Sequence, residues 1–118
     1  MAAPVTIEAL SGVQLRDMFG AAAGWLEKHA ESVNAINVFP VPDGDTGTNM
    51  FLTMRSIMEE AQRCQEEDAG TMMAAMARGA LMGARGNSGV ILSQIIRGMA
   101  RAMDGAESVD AEIGRAHV

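Results

Sequence analysis

Cysteine and aromatic residues are scarce in this chain, and each scarcity excludes a different class of protein. Cys64 is the single cysteine among 118 residues, which excludes the disulfide framework typical of small secreted domains. The chain has one tryptophan, three phenylalanines and no tyrosine, whereas β-sheets favour aromatic and β-branched residues. The hydrophobic fraction of 48%, which includes eleven methionines, therefore favours a core of packed helices.

Long apolar runs and an excess of positive charge are missing as well. No run approaches the roughly 20 apolar residues that span a membrane, and the N-terminus lacks the basic-then-apolar order of a signal peptide. The formal net charge of −6 argues against a nucleic-acid-binding surface. With 118 residues the chain forms one domain at most, and we expect it to be cytoplasmic.

Apolar residues recur at helical spacing in four segments, and this periodicity predicts four helices. The predicted helices run from about Ser11 to His29, from about Thr46 onward, from about Ala69 to Met82, and from about Asn87 onward. The residues expected to face the core are, in chain order, Leu15, Met18, Phe19, Ala22, Leu26, Met50, Met54, Ile57, Met58, Ala61, Met73, Met76, Ala77, Ala80, Val90, Ile91, Ile95 and Met99. The methionine stripes are predicted to be core rather than a ligand-binding surface.

The segment 37–49, NVFPVPDGDTGTN, places two carboxylates next to a predicted helix N-terminus. Two prolines restrict φ ahead of Asp43 and Asp45, and two glycines allow tight turns. Carboxylates two residues apart in an extended loop point the same way, so both can reach a Mg²⁺ ion that carries a phosphate. The alternative is an ordinary Pro-Asp-Gly turn. A calcium EF-hand is excluded, because Thr48 and Met54 occupy the positions of its glycine and its bidentate glutamate.

A second glycine-rich segment, GARGNSG at 83–89, runs directly into an apolar helical pattern. Glycines let backbone N–H groups approach a phosphate closely, and the following helix directs its positive end at the anion. Asn87 and Ser88 add side-chain donors. The segment is not a Walker loop, because Gly-Lys-Ser/Thr is missing, and not a Rossmann fingerprint, because a helical pattern precedes it. Taken alone, a turn between two closely packed helices is the better interpretation.

Taken together, the two segments resemble one family. NVFPVPDGDTGTNM and LMGARGNSGVILSQ are similar, in order and spacing and without gaps over about 35–100, to the DhaL-type (Dak phosphatase) nucleotide-binding domain. The N-terminal domain of the bacterial fatty acid kinase ATP-binding subunit is the most similar version, and the ATP-binding subunit of dihydroxyacetone kinases is a more distant one. The resemblance implies an all-α fold, an antiparallel up-and-down helical barrel with ATP at one end. This chain would form about its first half.

The resemblance also implies roles for individual residues, with ATP and Mg²⁺ as the cofactors. Asp43 and Asp45 would hold Mg²⁺ and carry the catalysis, and Asn37 would be a further metal or phosphate ligand. The residues expected to bind the nucleotide are Thr46, Gly47, Asn49, Gly86, Asn87, Ser88 and Gly89. Arg85 is either a phosphate contact or an ordinary surface arginine.

Three functions follow from this resemblance. The first is a kinase domain that phosphorylates a fatty acid held by a DegV-like lipid-binding partner. The second is a dihydroxyacetone (glycerone) kinase subunit, which is disfavoured because Thr46 stands where those proteins often carry His. The third is an inactive, truncated fragment. We expect residues 1–111 to be the N-terminal part of a longer domain. We expect residues 112–118, EIGRAHV, to be a non-native tail, because they match a translation of a common sequencing-adapter DNA.

Overall fold

Four α-helices and one short pair of strands make up the part of the chain that the structure, a computed structural model, describes: residues 9–36 and 44–110. The helices are α1 (Gly12–Ala35), α2 (Thr46–Arg63), α3 (Ala69–Gly83) and α4 (Gly86–Ala102). The strands β1 (Leu10–Ser11) and β2 (Ser108–Val109) pair antiparallel. The predicted all-α fold is confirmed. No helix within these ranges is long and apolar enough to cross a membrane.

Helix α1 begins at a capping box and extends past its predicted end near His29 to Ala35. The Ser11 hydroxyl accepts a hydrogen bond from the Gln14 N–H at 3.3 Å, and the Gln14 side chain accepts one from the Ser11 N–H at 2.9 Å. Residues 30–35 contain neither proline nor glycine, so nothing local stops the helix after His29. The additional length brings the end of α1 beside the first turn of α2.

Helix α2 packs against all three other helices, and methionines fill much of the space between them. The largest side chains with almost no solvent exposure are Thr53, Ile57, Met72, Met73, Met76 and Ile96. The prediction that the methionine stripes form core is confirmed for Met54, Met73 and Met76. Such a core is held by close packing of flexible thioether side chains.

The predicted inner face of α4 is wrong in part. Three of its expected core residues are about half exposed: Val90, Ile91 and Ile95. The buried residues of α4 are instead Gly89, Ser93 and Ile96. The small residues on this face let the α4 backbone approach α2 closely. The prediction missed this face because it was based on the spacing of large apolar residues. Met18 and Ala22 of α1 are exposed as well, contrary to the prediction.

Helices α2 and α4 run in the same direction, so their N-termini lie at the same end of the fold. A Cβ atom added at Gly86 would meet the Asn49 side chain, and one added at Gly89 would meet the Thr53 hydroxyl. Later residues of α4 therefore contact later residues of α2, as in a parallel pair. The first turn of α2 lies against the last turns of α1, which therefore runs antiparallel to α2. This arrangement sets two positive helix ends side by side.

The opposite end of the fold is joined by backbone hydrogen bonds between segments distant in sequence. The N–H of Gly12 donates to the Glu67 carbonyl at 2.7 Å, which ties the start of α1 to the loop after α2. The N–H of Ala69 donates to the Glu107 carbonyl at 2.9 Å, which ties the start of α3 to the segment after α4. These bonds satisfy N–H groups in the first turns of two helices.

Asp68 caps α3 and should make stability depend on pH in the acid range. Its carboxylate accepts hydrogen bonds from the Thr71 hydroxyl at 2.6 Å and the Thr71 N–H at 3.0 Å, and these bonds hold the pKa of Asp68 below its ordinary value of 3.8. Because folding lowers this pKa, the stabilisation is present above pH 3.8 and is lost as the pH falls through the folded-state pKa.

The matched variant is Asp68→Asn, because asparagine caps a helix equally well and does not titrate. We expect the native protein to lose more stability than Asp68→Asn between about pH 5 and about pH 2. Denaturant unfolding of both proteins across this range measures the difference. Parallel pH profiles would contradict the assignment.

Candidate functional site

The two segments singled out in the sequence meet at the shared end of α2 and α4. The Ser88 hydroxyl donates a hydrogen bond to the Thr46 carbonyl oxygen at 3.3 Å. Gly86 lies against the Asn49 side chain so closely that an added Cβ would overlap its amide group. Four of the predicted nucleotide-binding residues, which come from segments about 40 residues apart, are thus neighbours in the fold.

Gly86 opens α4 with a backbone conformation that favours glycine. Its φ of 66° lies in the left-handed region. Arg85, which precedes it, makes no side-chain cap hydrogen bond, and the first turn of α4 contains no acidic residue. The N-terminus of α4 therefore carries the positive end of the helix without a neutralising carboxylate in its own first turn.

The N-terminus of α2 is capped by a residue from another helix. Asn34, near the end of α1, accepts a hydrogen bond from the Thr48 N–H at 3.1 Å and donates one to the Thr48 hydroxyl at 2.9 Å. Thr48 is the third residue of α2, whose N–H an N-cap side chain ordinarily binds. Asp45 occupies the N-cap position and makes no side-chain cap hydrogen bond. Asn34 thus does the capping, and the Asp45 carboxylate is not used for it.

Thr53, one turn further along α2 than Asn49, links the two segments through hydrogen bonds. It is fully buried, its hydroxyl donates to the Asn49 carbonyl at 2.8 Å, and the same oxygen accepts the Arg85 N–H at 3.1 Å. Neither Thr53 nor Asn34 was predicted from the sequence. Neither stands in a glycine-rich or acidic pattern, and their partners lie 32 and 14 residues away, so no local signal could have identified them.

Gly47 and Gly89 are both buried, and the structure gives each a packing reason. An added Cβ at Gly47 would overlap the Ala30 carbonyl of α1, and one at Gly89 would overlap the Thr53 hydroxyl of α2. Of the other predicted residues, Thr46 and Ser88 are half-buried and Asn87 is exposed. Both glycines therefore bring helices together next to the predicted phosphate site.

The predicted metal ligands divide between two parts of the chain. Asp45 is half-buried at the start of α2, whereas Asp43 and Asn37 lie outside the described residues. Within the described ranges, no group of three or more His, Cys, Asp or Glu side chains is placed to hold a metal ion. Asp45 stands directly beside Thr46, so its carboxylate lies at the end of the fold where the two helix N-termini meet. A carboxylate beside two positive helix ends suits a cation and a phosphate bound together.

A family model and several bacterial proteins match this chain. A family model described as the DAK2 domain matches residues 40–116. The chain therefore belongs to the DAK2 domain family, a family of kinase-related domains associated with nucleotide binding. The matched range includes segment 83–89 and all of segment 37–49 except residues 37–39.

Several bacterial proteins are similar over nearly the whole chain. Protein YloV of Bacillus subtilis is 46% identical over 107 residues, which cover 91% of this chain and 19% of YloV. An uncharacterized protein of Staphylococcus saprophyticus is 42% identical over 106 residues, covering 90% of this chain and 19% of that protein. An uncharacterized protein of Staphylococcus aureus is 42% identical over 107 residues, covering 91% and 20%. The chain thus spans about a fifth of the length of these relatives.

Proposed function

We propose that this chain is the nucleotide-binding part of an ATP- and Mg²⁺-dependent kinase that phosphorylates the carboxylate of a fatty acid presented by a DegV-like partner. The main support is that the N-termini of α2 and α4 lie together beside Asp45. The Ser88–Thr46 hydrogen bond and the contact between Gly86 and Asn49 join them there. Membership of the DAK2 domain family supports the nucleotide. The fatty acid and the partner rest on the likeness of segment 37–49 to the fatty acid kinase form.

The residues at this end have complementary tasks in phosphoryl transfer, which depends mainly on positioning and charge neutralisation. The backbone N–H groups of Gly86, Asn87 and Ser88 would bind phosphate oxygens, helped by the positive end of α4. Asn49 would hold the same phosphates from α2. Asp45 and Asp43 would hold Mg²⁺, which supplies neutralisation of charge on the phosphate oxygens.

The acceptor in this proposal is the carboxylate of the fatty acid. Transfer requires a carboxylate oxygen in line with the γ-phosphorus, so that the new P–O bond forms as the bond to the leaving ADP oxygen breaks. A separate lipid-binding partner would bring that carboxylate to the exposed end of α2 and α4. Its products would be an acyl phosphate and ADP.

The test is an assay of the full-length protein with γ-labelled ATP and Mg²⁺, run with two substrate pairs. One pair is a fatty acid with a DegV-like protein, and the other is dihydroxyacetone with a dihydroxyacetone-binding subunit. We expect label only in the acyl product, and calorimetry should show Mg²⁺-dependent ATP binding. Label only in dihydroxyacetone phosphate would favour the glycerone kinase alternative. Binding of ATP without transfer in either pair would contradict the kinase proposal.

A further inference from the structure

The Thr53 hydroxyl is a buried side-chain group whose hydrogen bonds connect α2 with the start of α4. It donates to the Asn49 carbonyl within α2 and accepts the N–H of Arg85. Arg85 is the N-cap residue of α4, with an extended backbone at φ −120° and ψ 124°. The hydroxyl therefore holds the residue from which the glycine-rich turn departs.

The ordinary explanation for a buried threonine in a helix accounts for half of this arrangement. Threonine hydroxyls commonly donate to the carbonyl four residues earlier, and the bond to Asn49 is of that kind. This common bond within a helix does not require the same oxygen to accept a second hydrogen bond from the N–H of Arg85, 32 residues later in the chain. The N–H of an N-cap residue lies outside the regular helical ladder, and Thr53 provides a partner for this donor within the protein.

The same hydroxyl lies at the centre of the contacts that set the distance between the two segments. Gly89 leaves the space that the hydroxyl occupies, because a Cβ there would overlap it. One turn earlier in α2, the Asn49 side chain lies against Gly86. The positions of Gly86 and Gly89 relative to α2 thus depend on an oxygen atom fixed from both sides. Displacements of about 1 Å can slow a catalysed step considerably, so such fixing would matter for phosphoryl transfer.

We propose that Thr53 is a positioning residue that holds the glycine-rich turn of α4 in register with Asn49 and Asp45 for binding of the nucleotide phosphates. The proposal rests on the proposed function, since it assumes that the phosphates bind where these segments meet. Thr53 itself is fully buried and acts through the Arg85 N–H rather than by contact with the ligand.

Thr53→Val tests this role, because valine has nearly the same shape and loses both hydrogen bonds. The Arg85 N–H then lacks its acceptor and the glycine-rich turn is held less firmly, so we expect the affinity for ATP–Mg²⁺ to fall roughly tenfold. Thr53→Ser keeps the hydroxyl and should restore the affinity. Calorimetric titration of both variants with ATP–Mg²⁺ measures this.

Ser93→Ala is the matched control. Ser93 is also a buried hydroxyl, 5% exposed, and it donates at 2.7 Å to the Val90 carbonyl within α4. Its removal should leave ATP affinity within about twofold of the native value, because Ser93 donates to Val90 within α4 and not to the candidate site. Hydrogen exchange without nucleotide adds a second readout. Amides of residues 85–89 should exchange faster in Thr53→Val and at the native rate in Ser93→Ala.

The outcomes separate the two proposals. Native ATP affinity in Thr53→Val, equal losses in Thr53→Val and Ser93→Ala, or no recovery in Thr53→Ser would each overturn the positioning role and leave the proposed function standing. A Thr53→Val protein that no longer folds would assign the hydroxyl to the core and overturn the role as well. If the unmodified protein does not bind ATP–Mg²⁺, the proposed function is refuted and the positioning role falls with it.

Discussion

Asp45→Ala is expected to lower Mg²⁺-dependent ATP turnover on the order of a thousandfold, while the helices stay folded. The carboxylate is a proposed ligand of the ion, and removing a metal ligand at a phosphoryl-transfer site removes several kcal/mol of charge stabilisation. The fold should tolerate the change because Asn34, and not Asp45, caps the first turn of α2. Turnover with γ-labelled ATP and far-ultraviolet circular dichroism measure the two effects separately.

Asp104→Ala is the control for the loss of one negative charge. Asp104 is exposed in the turn after α4, at the other end of that helix from the candidate site. Its removal should leave turnover unchanged. Asp43→Ala is expected to behave like Asp45→Ala, a prediction from sequence alone because Asp43 lies outside the described residues. Native turnover in Asp45→Ala would contradict its assignment as a metal ligand.

Gly89→Ala and Gly98→Ala are expected to change stability in opposite directions, although both add one methyl group to α4. The Cβ at position 89 would overlap the Thr53 hydroxyl and meet the Ala84 carbonyl carbon at 3.4 Å. Such overpacking destabilises by about 1–3 kcal/mol. The Cβ at position 98 meets nothing within 4 Å, so replacing that glycine should stabilise α4 by about 0.5–1 kcal/mol.

Only the change at position 89 should also weaken ATP–Mg²⁺ binding, because it separates α4 from α2 where the two segments meet. Denaturant unfolding gives the free energy of each variant, and calorimetry gives the affinity. Equal stability of the two variants would contradict the close approach at Gly89. Undiminished affinity in Gly89→Ala, despite a loss of stability, would identify the glycine-rich segment as a packing turn only.

The helices themselves could be predicted because their signals are local. The start of α2 at Thr46 and the bounds of α3 within a residue follow from glycine, aspartate and the spacing of apolar residues. The end of α1 was predicted too early, since nothing in residues 30–35 stops a helix and the packing against α2 favours its continuation. The prediction placed Val90, Ile91 and Ile95 in the core because it assigned the buried face of α4 from its large apolar residues. In the structure these three side chains are about half exposed.

The sequence by itself determined the all-α class, the methionine core and the two segments that carry the proposed chemistry, because each depends on residues close together in the chain. Tertiary structure alone decided that α2 and α4 run in the same direction and bring Ser88 to Thr46. It also decided that Asn34 caps α2 and that Thr53 holds the Arg85 N–H. These contacts join residues 14 to 42 positions apart, and a local pattern carries no information about which distant groups packing will bring within hydrogen-bonding distance.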